Sequence, residues 1–425
     1  MKIAFFTSEA DGVWHGEILR RAGHQVDFVL KEDKYHQTLE GIVPEFLSEP
    51  PEIDTYDLVV FDSCSSGDMA DEMRVHTPVI GSSAIAERLE EDRLFGIEFM
   101  EKSDITVSSY EVFNDIAPAI KWLKKLGKPA VFKPFGNELD KATTYVGKSV
   151  DDLIDYLEKL FSKVKVKEFL LQEKVEGTEI STEAWFNGDA FYALNHTLEE
   201  KKFMSGGIGP NTGCAGNVLW MPDGPTATFT EGLAKVAKEL RKVDYVGPID
   251  LNTIATKDGL YGLEWCPRFG YEGTCNLICL LPMEFGQFMY EIATGESPKL
   301  GKPSAPFCAT IRLSVPPYPN PSKPEKYSGV PVNGIDLDTL ESFYLSDVKL
   351  NEDGELETIG QDGWIGSPIC AGDTIKEAFD ACEAVISGLE IPNLMWRNDV
   401  GECCEKRYAE LEKMGWLKIE KEVAA

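Results

Sequence analysis

The amino-acid sequence predicts a mixed fold, a parallel α/β unit at the N-terminus followed by an α+β body and a last small α/β unit. Three observations lead there. Short apolar runs at 2–7, 25–30 and 57–62 are separated by a helical stretch at 14–22, the rhythm of parallel strands joined by crossovers. From about residue 100 amphipathic helices and period-two strands no longer alternate strictly. At 249–254 and 260–266 two alternating runs meet across Lys257-Asp258-Gly259, a hairpin signature.

Taken in order, Lys2 to Thr7 reads as a buried strand, 14–22 as a helix closed by Gly23-His24, and 25–30 and 57–62 as two further strands. Strand ends in such a unit normally carry ligands. Residues 115–126 read as an amphipathic helix ended by Gly127, 129–133 as a strand stopped by Pro134, and 150–161 as a helix with Ser149 as its N-cap. Strands at 169–173 and 182–186 flank Glu176-Gly177, and this stretch fits a small α+β lid. Pro316 to Pro324 is a proline-rich loop, and 330–416 forms the last α/β unit. The expected domains are 1–100, 101–300 with a lid at about 110–185, and 301–425.

The hairpin carries the first chemistry. A three-residue loop ending on left-handed Gly259 pairs Thr256 with Leu260, hence Asn252 with Glu264 and Asp250 with Cys266. Period-two alternation then gathers Asp250, Asn252, Glu264 and Cys266 on one face. Such a cluster reads as a metal platform for Mg2+ or Mn2+, which want hard oxygen ligands. The alternative is a solvent-facing sheet side. Arg268, four residues beyond Glu264, can steady a phosphate or a carboxylate through bidentate hydrogen bonds. The segment Gly207-Ile-Gly-Pro-Asn-Thr-Gly-Cys-Ala-Gly216 is glycine-rich without repetition, so amides and small side chains can close around an anion or an amino acid. Lys133, at a strand end before Pro134, can project onto a phosphate; read alone, it is a solvated charge.

Composition limits the partners. Hydrophobic residues make up 43% and charged residues 27%, the balance of a soluble globular protein. No run of eighteen apolar residues predicts a membrane span, and the N-terminal apolar stretch is too short for a signal peptide. Ten scattered cysteines without a CxxC pair read as reduced thiols in a cytoplasm. A net charge of −30 disfavours polymeric nucleic acid while leaving small phosphates open. The expected partners are small molecules, with the chain a monomer or homodimer.

Several motifs resemble glycinamide ribonucleotide synthetase (phosphoribosylamine–glycine ligase), an ATP-grasp family. They are Gly209-Pro210-Asn211-Thr212-Gly213, Arg268-Phe-Gly270, the helical Leu89-Glu-Glu-Asp-Arg-Leu-Phe-Gly, and in the tail Ser328-Gly-Val-Pro, Ala371-Gly-Asp-Thr374 and Trp396-Arg-Asn-Asp-Val-Gly401. The resemblance implies an ATP-grasp fold with an N-terminal Rossmann-like domain and a small C-terminal α/β domain. It also implies ATP and Mg2+ (or Mn2+) as cofactors, with Arg93, Lys133, Lys141, Glu173, Val175 and Glu179 around the nucleotide. Gly209 to Gly213 with Arg268 would bind the carboxylate substrate, Asp250, Asn252 and Glu264 the metal, and Arg268 and Lys141 would act in catalysis.

The departures concern the acceptor. The family's first phosphate loop is replaced by Ser8-Glu-Ala-Asp-Gly-Val-Trp-His15, and a Gly-Pro-Glu segment in its phosphoribosylamine pocket by Asp62-Ser-Cys-Ser-Ser-Gly67. The metal strand's Glu-x-Asn becomes Glu264-Trp265-Cys266, and a thiol is a poor magnesium ligand. The reading is therefore an ADP-forming carboxylate–amine ligase acting through an acyl phosphate. A glycine-like amino acid is the acyl donor, and the amine acceptor is altered from phosphoribosylamine. Two alternatives stay open: an authentic phosphoribosylamine–glycine ligase of purine biosynthesis, and a catalytically weak nucleotide-binding relative.

Overall fold

A computed structural model describes residues 1–135, 144–164, 166–319, 327–335 and 342–420. The first sheet is parallel and contains β1 (Lys2–Phe6), β2 (Gln25–Val29), β3 (Leu58–Phe61) and β4 (Val79–Ile80) in the order β2-β1-β3-β4. Its strands are apolar and mostly buried, as a sheet covered on both faces requires. Helix Val13–Arg21 crosses from β1 to β2, in line with the expected crossover.

A second, four-stranded layer has the order β5-β8-β6-β7, with β5 (Tyr110–Phe113), β6 (Ala130–Pro134), β7 (Tyr145–Val146) and β8 (Phe169–Glu173). Its two helices are capped at the expected Gly127 and Ser149 and also by Asp115. The Asp115 side chain accepts from the Ala117 amide, and Gly127 ends helix Ile116–Leu126 at φ 67°. The Ser149 hydroxyl accepts from the Asp152 amide at 3.1 Å, starting helix Val150–Phe161.

The third sheet organises the rest. It contains β9 (Thr178–Phe186), β10 (Phe191–Met204), β11 (Ile208–Trp220), β12 (Gly247–Ala255), β13 (Leu260–Cys266), β14 (Phe307–Ile311), β15 (Leu313–Ser314), β16 (Phe343–Leu345) and, after the small pair β17 (Val348–Leu350) and β18 (Leu356–Thr358), β19 (Trp364–Gly372). The order is β13-β12-β9-β10-β11-β14-β19-β15, with β16 also on β19. The sheet runs past residue 300 without a break, because β14 pairs with β11 on one side and β19 on the other. A large apolar core joins it to the N-terminal sheet and to helices Ile375–Ser387 and Val400–Met414, with Trp14, Trp185 and Phe269 among its buried rings.

Three local readings change. The strand around 182–186 starts at Thr178 and pairs with β12 and β10, so it leaves the small layer and enters the long sheet. The hairpin turn is one residue longer than expected: Ala255, not Thr256, faces Leu260. Thr256 leaves the ladder because its hydroxyl accepts from the Asp258 and Gly259 amides while its own amide bonds Gly259 O. A bulge at Leu263 restores the register, so Asn252 still faces Glu264 and Asp250 faces Cys266. Finally, Gly209 to Gly213 lies on β11 rather than in a loop; the turn of that hairpin is Ser205-Gly206-Gly207.

Candidate active site

The polar face of the long sheet is built by alternation. Rungs pair Asp250 with Glu183, Asn252 with Ser181, and Thr197 with Ser181, while Asn252 and Asp250 face Glu264 and Cys266 on the other side. Glu199 and Lys201 continue this face along β10. The Lys201 ammonium stands among three carboxylates, 2.9 Å from Glu179 Oε1, 3.4 Å from Glu264 Oε1 and 3.9 Å from Glu199 Oε2.

Beside this face opens a cleft lined by Leu89, Glu90, Arg93, Lys133, Glu264 and Arg268 among others. Arg93 opens helix Arg93–Lys102, which Asp92 caps by accepting from the Phe95 amide at 3.0 Å. Arg93 Nη2 reaches Thr144 Oγ1 at 3.4 Å. Lys133 enters from β6 and is 7% exposed. Burial pulls its ammonium down to about 8, against the pull of Glu264. Arg268 is held by Glu90 at 3.3 Å and donates to Phe269 O at 2.9 Å. Cations converging on one carboxylate make a site for a polyanion with a bound cation.

The expected metal ligands meet this face unequally. Desolvation raises Glu264, whose side chain is still 45% exposed, but Lys201, Lys133 and Arg93 take it below its ordinary value, so it is ionised. Asp250 accepts from Ser181 Oγ at 2.5 Å, and its Oδ1 is buried without a partner. Burial and then Glu183 raise Asp250 to about 7. Asn252 Nδ2 points to Cys266 Sγ at 3.8 Å. The Cys266 thiol is raised far above its ordinary value by burial, so it offers no thiolate. Among the described residues no three His, Cys, Asp or Glu side chains form a ready metal cage. Glu264, the Asn252 amide oxygen and the unspent Asp250 Oδ1 are hard donors. They fit a Mg2+ that takes its other ligands from phosphates and water.

Other expected residues lie elsewhere. Glu173 pairs with Lys128 at 2.5 Å, Ser108 Oγ donates to its carbonyl and its amide bonds Ser109 O; neither Glu173 nor Val175 lines the cleft. Glu179 joins the site through Lys201. Lys141 lies outside the described residues. On β11, Gly209 sits at φ 84°, its carbonyl accepts from Lys202 Nζ at 3.3 Å, and Pro210 and Asn211 are exposed. Thr212 Oγ1 donates to Lys201 O at 2.9 Å, tying the glycine strand to the lysine. The sequence reading missed Lys201, Glu199 and Glu90. The alternation of Glu199 and Lys201 just before the glycines was the available signal for the first two.

A second cluster stands at the ends of β1 and β3. Asp62 Oδ2 accepts from the Gly12 amide at 2.9 Å and from Thr7 Oγ1 at 2.5 Å, and its Oδ1 is buried without a partner. Asp11 is raised to about 7 by burial and then by Asp62. The Tyr344 hydroxyl donates to Asp11 O, and Arg312 is paired with buried Glu272 at 2.6 Å and stacked over Trp364.

The chain is similar to several known proteins. The family model described as phosphoribosylglycinamide synthetase, ATP-grasp (A) domain, matches residues 91–274. A phosphoribosylamine–glycine ligase of Streptococcus pneumoniae is 25% identical over 350 residues, covering 80% of this chain and 82% of that protein. One from Clostridium acetobutylicum is 25% identical over 342 residues, covering 76% and 78%. The crystal structure of the Thermotoga maritima phosphoribosylamine–glycine ligase superposes with a TM-score of 0.74 at 21% identity, covering 94% of this chain and all of that one. The Hydrogenobacter thermophilus biotin carboxylase domain, in complex with MgADP and bicarbonate, shares the fold with a TM-score of 0.64 at 13% identity, covering 99% of both chains.

Proposed function

Because the chain is a divergent member of the phosphoribosylglycinamide synthetase family, we propose that its ligase chemistry runs on the cleft between Arg93, Lys133, Glu264 and Arg268. It is an ADP-forming ATP-grasp ligase of carbon–nitrogen bonds that uses ATP with Mg2+. The observation that carries the reading is the convergence of Arg93, Lys133 and Lys201 on Glu264. Cations of this kind neutralise a transferring phosphoryl group, and an ionised carboxylate holds the metal that bridges it.

The carboxylate oxygen of the acyl donor takes the γ-phosphoryl group of ATP and ADP leaves. The amine nitrogen then attacks the acyl carbon, phosphate departs, and the nitrogen loses a proton. Arg268 would steady the donor carboxylate or the acyl phosphate, and the Gly209–Gly213 strand would border the donor. Lys133 and Arg93 would hold ATP phosphates and Glu179 the ribose hydroxyls. Asp250, Asn252 and Glu264 would hold Mg2+.

The relatives' names make glycine and phosphoribosylamine the first pair to test. A second reading, an amine without a sugar phosphate, is favoured by Asp62. Its carboxylate already takes the Gly12 amide at the start of helix Val13–Arg21, where a phosphate would need that amide. ADP release and product mass decide, with glycine and other small amino acids offered against fresh phosphoribosylamine and a panel of unphosphorylated amines. ADP with the mass of glycinamide ribonucleotide supports the first pair. An amide only from unphosphorylated amines supports the second, and AMP as product overturns both.

A further inference from the structure

Among the described residues, Lys201 is the one ammonium within 4 Å of three carboxylates of the polar face: Glu179, Glu199 and Glu264. These come from three strands, β9, β10 and β13. Its backbone is fixed as well, since Thr212 Oγ1 donates to Lys201 O. Two neighbours, Arg397 and Arg407, hold the same strand from outside: Arg397 donates to Lys202 O at 3.0 Å and Arg407 to Glu199 O at 2.8 Å. A strand fixed along its backbone therefore presents this ammonium to one carboxylate of its own strand and to one each on β9 and β13.

We propose that Lys201 is a built-in counter-ion that competes with the divalent cation for Glu264, and that turns to the nucleotide phosphates when metal and nucleotide enter together. The inference rests on the ligase reading above. One ammonium and one divalent cation cannot share Glu264 at close range without repulsion. Metal alone must push Lys201 off Glu264 and offers it no new partner. Metal with nucleotide supplies a phosphate as the new partner. Binding of the two is then cooperative by construction, and the carboxylates are spared mutual repulsion in between.

The test uses the full-length protein and Mn2+ as the probe, with free Mn2+ read by electron paramagnetic resonance. Lys201→Met should bind Mn2+ without nucleotide about tenfold more tightly than the unaltered protein, as expected for removing one nearby unit charge. Lys201→Arg should bind it as weakly as the unaltered protein. Lys201→Met should also lose most of the gain in Mn2+ affinity that a non-hydrolysable ATP analogue gives the unaltered protein. If Lys201→Met does not fold by circular dichroism, Lys201→Gln carries the same expectation. Equal Mn2+ affinity in the neutral variant and the unaltered protein overturns the proposal, as does Lys201→Arg binding as tightly as the neutral variant. Titration of the unaltered protein with the ATP analogue tests the parent reading separately. Absent nucleotide binding overturns that reading, whereas normal nucleotide binding with unchanged Mn2+ affinity overturns this one alone.

Discussion

Asp62 closes the start of helix Val13–Arg21, its Oδ2 accepting the Gly12 amide at 2.9 Å. The contact joins the end of β3 to the loop after β1. A Cβ on residue 12 would lie 2.3 Å from that same carboxylate oxygen, so glycine is required there by close approach. The anion-seeking end of a helix is thus answered from within the protein.

This pair of acids sets a pH dependence. Asp11 is raised to about 7 and Asp62 to about 6, each by burial first, from an ordinary value of 3.8. The folded state therefore holds protons that the unfolded state has released. The associated stability is present below about pH 4 and is lost as pH rises through 6 to 7. Asp11→Asn should accordingly raise the melting temperature, relative to the unaltered protein, more at pH 8 than at pH 5. An equal difference at both pH values would show that Asp11 titrates normally.

Lys133 should make nucleotide binding fade in alkaline solution. Burial holds its ammonium near 8, so it is discharged as pH rises from 7 to 9, and with it goes one phosphate counter-charge. Nucleotide affinity measured by calorimetry should fall about threefold to tenfold across that range. Lys133→Arg, which keeps its charge, should show a flatter profile, and identical slopes would place the titration elsewhere.

Glu264→Gln removes the ionised carboxylate from the centre of the site. Turnover should drop about a hundredfold or more, because the charge proposed to hold the metal during phosphoryl transfer is gone. ADP release in a coupled assay reads this directly. Turnover near that of the unaltered protein would mean that the metal is held by other groups.

Arg397 bonds Glu200 Oε2 at 3.0 Å and Asp399 Oδ1 at 2.6 Å, and its side chain is 1% exposed. Arg397→Met leaves both carboxylates without this partner, so unfolding in denaturant should show a loss of about 3 kcal/mol or more. A change below about 0.5 kcal/mol would mean that solvent compensates both acids.

The polar face was legible because strand alternation is a local property. Asn252 and Glu264 face each other even though the turn that joins their strands is longer than expected: the bulge at Leu263 absorbs the extra residue, and parity is what survives. Ser149 was legible as an N-cap for the same reason, since a cap and the amide it receives are three residues apart. The glycine segment was less legible. Its composition permits a loop, but pairing with β10 draws it into a strand, a partner that glycine content does not reveal.

By itself, then, the sequence determined the alternation, the caps and the run of strands, all of which depend on neighbours within a few residues. Only the tertiary structure decided what each charge faces. Lys201 meets Glu264 across 63 residues of chain, Asp62 meets Gly12 across 50, and Arg268 meets Glu90 across 178. Electrostatic energy depends on distance in space and on burial, and neither follows from spacing along the chain. That is why the sequence could mark Glu264 as a candidate metal ligand, while the lysine beside it emerged only when the strands were brought together.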